Sequence, residues 1–152
     1  MLHFGYRTAA IFACFALCSA PAGALDLQFI PVAPGVYAFI GDTGMRTAAN
    51  EDMNANTGFI VTGAGVVVVD SGSTYQVEKR IHAAIQSVTN EPVKYVINTG
   101  GQDHRWLGNS YFKELGVPII AQRKAAADMQ ERGAMLIEGL DDVGRAVAVR
   151  RF

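Results

Sequence analysis

"NTGFIVTGAGVVVVDSGS", Asn56 to Ser73, is the stretch whose reading decides the fold. Two β-rich runs, Thr57 to Thr62 and Val66 to Asp70, flank Gly63-Ala64-Gly65, a hairpin signal. The second run is apolar at every position from Val66 to Val69, which predicts a strand covered on both faces. It stops abruptly at Asp70-Ser71-Gly72. Ser73, with Gln76 three residues on, predicts a capping box that opens a helix. Val77, Ile81, Ala84, Ile85 and Val88 then fall on one helical face. Glu78, Lys79 and Arg80 are placed on the wet side, and His82 lies off the apolar stripe as a surface residue. Asn90 and Pro92 end the helix.

Downstream, Val93 to Asn98 reads as a strand running into "TGGQDHR", Thr99 to Arg105. Polar clusters at strand ends are common places for chemistry. Trp106 to Leu115 is expected as a short helix ended by Gly116, Val117 to Ala121 as a strand, and Gln122 to Arg132 as a helix ended by Gly133. Upstream, "APGVYAFIG" from Ala33 predicts a short edge strand after a turn at Gly35. Residues 41–55 read as a polar loop, with Met45 and Met53 filling space beneath it. The alternation of strands and helices implies an α/β chain of the α+β type, a mixed sheet with helices packed on it.

A chain of 152 residues, half of them hydrophobic, can hold one domain with a real core. The formal net charge of −1 and the lack of a basic run exclude an obvious nucleic-acid partner. Residues 1–24 read as a secretory signal, with Arg7 before an apolar run and an A-x-A site cleaved after Ala24. That run is shorter than the roughly 18 residues of a membrane span, so no stable membrane anchor is expected. Cys14 and Cys18 both fall in the signal, which leaves no thiolate for a metal in the remainder. The expected destination is the periplasm or the extracellular space. A domain is expected over residues 25–137. The tail, residues 138–152, changes composition, which is the mark expected of a truncated or non-native end.

Taken in order, "VAPGVYAF", "NANTGFIVTGAGVVVVDSG", "VKYVINT" and "GNSYFKELGVPIIA" resemble the metallo-β-lactamase superfamily of metal-dependent hydrolases, from about Val32 to Gly133. The resemblance is to its periplasmic members. It implies an αββα sandwich of two similar halves, of which this chain carries the first, with helices on the outer face of its sheet. One sheet face or edge would then be open, to be covered by a complementary chain. In the family the strand after the first helix ends in Thr-His-x-His-x-Asp-His, which holds one or two Zn²⁺ ions. The metal generates a hydroxide that attacks a lactam, ester or thioester of a small-molecule substrate.

Residue by residue, Thr99 fits the leading Thr, while Gly100 and Gln102 stand where the first two His would be. Asp103-His104 matches the Asp-His pair if one residue is lost before it and one gained after it; without gaps, His104 takes the Asp position and Arg105 that of the last His. Either way the first His pair is absent, and glutamine is a poor zinc ligand. The resemblance implies Asp103 and His104 as metal ligands for at most one Zn²⁺, with Asp103 also orienting the nucleophile. Arg105 is a candidate for a substrate carboxylate or a surface ion pair. Trp106 either borders the pocket or anchors the core. Asp70 and Gln102 would be structural neighbours of the site, Asp70 by accepting backbone hydrogen bonds. Asp128 is expected on an exposed helix face, and Asp141-Asp142 in a solvated turn. Two readings follow: a metal-dependent hydrolase with a degenerate site, or a non-catalytic pseudoenzyme, binding module or gene fragment on the same fold.

Overall fold

A computed structural model describes residues 25–47 and 49–142, the last five of them only as helix backbone. Residues 1–24, expected as a signal, and residues 143–152 of the tail lie outside the described residues. Six strands run in sequence order across one sheet: β1 (Ile30–Ala33), β2 (Val36–Phe39), β3 (Thr57–Val61), β4 (Val66–Val69), β5 (Val93–Asn98) and β6 (Ile119–Ala121). β1 to β4 form an antiparallel meander; β4, β5 and β6 are parallel. The parallel pairs need crossovers. These are α1 (Tyr75–Val88) between β4 and β5, and α2 (Asp103–Trp106) with α3 (Asn109–Glu114) between β5 and β6. α4 (Arg123–Asp142) follows. This is the mixed α+β sheet expected from the sequence.

Both glycine turn signals fall between paired strands, and Gly63 and Gly65, with φ 78° and 140°, stand between β3 and β4. Gly35 has φ 70°, which lets β1 fold back on β2. Pro34-Gly35 thus joins two strands, and the edge strand is β1, before the turn rather than after it. The helix cap lies one residue later than expected. Thr74 is the N-cap and accepts a hydrogen bond from the Val77 N–H at 3.1 Å, while the Ser73 hydroxyl donates to the Glu51 carbonyl at 2.7 Å.

One face of the sheet carries the core. Phe59, Val66, Val68 and Val96 meet Val77, Ile81 and Ile85 of α1 and Phe112 of α3, all buried. Each such side chain contributes about 1.5–3 kcal/mol of burial. Met53 is buried under the 41–55 loop as expected, whereas Met45 is exposed. The opposite face is open. Ile60, Val67 and Tyr95 line one cross-strand row and Val69, Ile97 and Ile120 the next. Ile60, Tyr95, Ile97 and Ile120 remain a third to a half exposed. The four valines therefore alternate between buried and half-buried. The expectation of cover on both faces fails because no described element lies over the second.

Three helix readings change. The helix expected over Trp106–Leu115 starts three residues earlier and is broken: α2 covers Asp103–Trp106, α3 covers Asn109–Glu114, and Leu107-Gly108 separates them. Gly108 permits that break by close approach: a Cβ there would stand 2.6 Å from the Ser71 carbonyl oxygen. Gly133 does not end α4, which runs through it to Asp142, so Asp141-Asp142 lies at a helix end and not in a turn. Instead Gly133 lets α4 lie against Trp106, whose ring edge would be 3.4 Å from a Cβ. Finally, Glu78 is not on the wet side. It is fully buried at the α1–α3 contact, beside Gly108. At position 78 it is one residue from Val77, so the apolar stripe is wider than five aliphatic side chains show.

Candidate functional site

The strand-end motif sits where β4 and β5, parallel neighbours, both terminate. Asp70 leaves β4 in the left-handed region, φ 59°, a conformation that aspartate tolerates better than most residues. Its carboxylate reaches across to β5. It accepts from the Thr99 N–H at 2.8 Å, from the Thr99 hydroxyl at 2.7 Å and from Arg105 Nη1 at 3.3 Å. Arg105 Nη1 also donates to the Thr99 hydroxyl at 2.6 Å. Backbone contacts tie the following turn to the same place: the Ser71 N–H donates to the Arg105 carbonyl at 2.8 Å and the Gly108 N–H to the Gly72 carbonyl at 3.1 Å. Asn98 Nδ2 also donates to the Arg105 carbonyl, at 3.1 Å, and accepts through Oδ1 from Asn109 Nδ2 at 2.8 Å.

Three arginine–aspartate pairs ring this loop: Arg46 with Asp103, Arg105 with Asp70, and Arg132 with Asp128. Their formal charges cancel. Arg46 comes from the 41–55 loop and takes Asp103 Oδ2. Asp103 Oδ1 accepts from the His104 N–H at 3.0 Å, and His104 Nδ1 lies 3.5 Å away from it. Burial holds the His104 imidazole below its ordinary pKa; Asp103 works against this, while Arg46 and Arg105 reinforce it. Arg132 Nη2 and Trp106 Nε1 both donate to the Gly101 carbonyl, at 3.1 and 3.0 Å. Trp106 is buried with Leu107 and Ile137 in a second small core under α4.

The sequence-derived candidates are therefore brought together where the ends of β4 and β5 meet α2: Asp70 follows β4, Gln102 is the N-cap of α2, and Asp103, His104, Arg105 and Trp106 form that helix. Trp106 is buried in the core, and Arg105 faces Asp70 and Thr99. Asp128 is only half-exposed, paired with Arg132. A Cβ on Gly101 would meet its carboxylate at 2.6 Å, and a Cβ on Gly100 would meet Gln102 Oε1 at the same distance. The glycine pair makes room for side chains where a histidine would project. Arg46 and Asn50 were not singled out from the sequence. Nothing local marks Arg46, which sits 57 residues from its partner. The Asp128–Arg132 pair was legible, since it has the i, i+4 spacing of a helix surface pair.

A profile of the Metallo-beta-lactamase superfamily matches residues 50–150, and the chain belongs to this superfamily. Solved structures agree on the fold. The metallo-β-lactamase FIM-1 from Pseudomonas aeruginosa, in its mono-zinc form, superposes with a TM-score of 0.60 at 14% identity, over 72% of this chain and 48% of that one. A metallo-β-lactamase from Pontibacter korlensis gives 0.59 at 17% identity, over 71% and 49%. One from Hirschia baltica gives 0.58 at 21%, over 70% and 48%. The chain thus spans about half the length of each.

The superfamily implies zinc, and the residues at the loop do not fit it. Among the described residues no group of three His, Cys, Asp or Glu side chains converges to hold a metal ion. Of the two candidate donors, Asp103 is already engaged by a guanidinium.

Proposed function

We propose that this chain is an exported superfamily member with a degenerate metal loop, and that this half acts as a pseudoenzyme or small-molecule binding module rather than as a working metallohydrolase. One observation carries the reading: Asp103, one of the two candidate donors of the motif, is paired with Arg46, and glycine and glutamine stand at positions 100 and 102. Two donors leave a zinc site open on more sides than the three protein ligands of a catalytic centre. Export is supported by the leader-like residues 1–24. Arg105, a third exposed, keeps guanidinium N–H groups beyond those given to Asp70 and Thr99, which suits a small carboxylate-bearing ligand.

The competing reading is a single-zinc hydrolase using Asp103 and His104. The two part on turnover. With excess Zn²⁺, the full chain is expected to leave a chromogenic β-lactam, a lactone and a thioester unhydrolysed above buffer rates. Turnover that His104→Ala abolishes would establish the hydrolase instead.

A further inference from the structure

We propose that Arg46 is a tethered cation that competes with divalent metal for Asp103, so that the loop excludes zinc by occupancy as well as by its missing histidines. This rests on the degenerate-site reading and adds to it an element from a different part of the chain. The carboxylate in question is sheltered: the Asp103 side chain is 12% exposed, and Arg46 covers Oδ2. Asp103 gives one oxygen to a guanidinium and the other to a backbone N–H, so each oxygen already serves a donor and an incoming ion must compete with the guanidinium for Oδ2.

Arg46 is held for this contact by its own backbone. The buried Asn50 side chain accepts from the Thr47 N–H through Oδ1 at 2.8 Å and donates through Nδ2 to the Met45 carbonyl at 2.9 Å. These two bonds pin the residues immediately before and after Arg46. Nδ2 also donates to Asp42 Oδ2 at 3.1 Å, and the Asn50 N–H donates to the Thr47 hydroxyl at 3.2 Å. Met53 anchors the far end of the loop in the core. The backbone that carries Arg46 is therefore fixed by a folded loop, and what remains to be lost in pairing is the rotamer freedom of the side chain itself.

The consequence is a linkage. A metal that takes Asp103 must displace Arg46, and its affinity falls by the factor with which the pair favours the closed arrangement. The displaced guanidinium, and Arg105 beyond it, would also repel a divalent ion. Asn50 acts through Arg46 and is a positioning residue. The same geometry makes the loop stable without metal, since the charge that zinc would neutralise is already neutralised from within the chain.

The test is titration of the full chain with Co²⁺ and Zn²⁺ alone, read by calorimetry and by the Co²⁺ absorption spectrum. Arg46→Ala is expected to bind about tenfold more tightly than the parent, the scale of a charged hydrogen bond. Arg46→Lys should stay within about threefold of the parent because it keeps the charge. Asn50→Ala should reproduce part of the gain, and adding Asp103→Asn to Arg46→Ala should remove it. Arg46→Gln serves if the alanine variant does not fold. Equal affinity in parent and Arg46→Ala, undetectable binding in both, or a gain that survives Asp103→Asn would overturn the proposal while leaving the degenerate-site reading in place. Two tight metals in the parent would overturn both.

Discussion

The carboxylate of Asp70 accepts both the N–H and the hydroxyl of Thr99, at 2.8 and 2.7 Å, and so joins the ends of two parallel strands by side-chain contacts beyond their ladder. The joint holds Asp70 in a left-handed conformation and gives Arg105 its anchor. The loop is positioned by this contact, whatever it binds.

Replacing Asp70 with alanine removes three acceptor contacts, takes the side-chain acceptor from the Thr99 N–H, and leaves alanine at a position with φ 59°. A loss of about 2–4 kcal/mol is expected. Asp70→Asn keeps one carbonyl acceptor and should lose less. Urea unfolding of the two variants measures this; an Asp70→Ala midpoint equal to the parent's would show that the joint carries no stability.

Two glycines should respond with opposite signs. At Gly108 a Cβ would press on the Ser71 and Thr74 carbonyl oxygens at 2.6 and 3.0 Å, both backbone atoms that cannot step aside. Gly108→Ala should cost about 1–3 kcal/mol. At Gly133, within α4, a Cβ would meet Trp106 at an ordinary 3.4 Å and gain helix propensity, so Gly133→Ala should be neutral or stabilising by up to about 1 kcal/mol. Thermal melts of the pair decide the matter, and a stabilised Gly108→Ala would refute the close packing of the two loops.

Glu78 makes stability depend on pH. Burial pushes its carboxyl well above the ordinary carboxylate range, while the Phe112 and Tyr111 N–H groups and the Ser71 hydroxyl pull it back only in part. Neither carboxyl oxygen completes a hydrogen bond of good geometry. The neutral acid is thus the favoured buried form. Its contribution is full below the unfolded-state pKa and falls as pH rises to the raised folded-state value, then stays constant. Glu78→Gln should flatten this slope and be the more stable chain at high pH. Denaturant midpoints from pH 4 to 9 check it, and parallel curves for the two proteins would remove Glu78 as the cause.

Much of the fold was legible because it is written in local patterns. The hairpin glycines, the valine run and the spaced aliphatics of α1 each signal their element within a few residues. The resemblance that assembled them into a superfamily matches the profile and the solved structures. What escaped the sequence depends on distant partners. Glu78 looks like a surface charge until α3 is known to lie over it. Gly133 looks like a terminator until Trp106 is found against it. Arg46 carries no signal at all, since its meaning comes from Asp103 far along the chain. The candidate residues of the loop were found together, but their occupancy by arginines could not be read from the motif.

The central claim is that the superfamily scaffold persists here while its metal loop is filled from within. Metal stoichiometry of the full chain, purified from zinc-supplemented medium and dialysed without chelator, tests this most directly. The account predicts less than one equivalent of retained zinc, with the loop equally folded before and after chelation. Two equivalents of tightly held zinc, lost on His104→Ala, would contradict it.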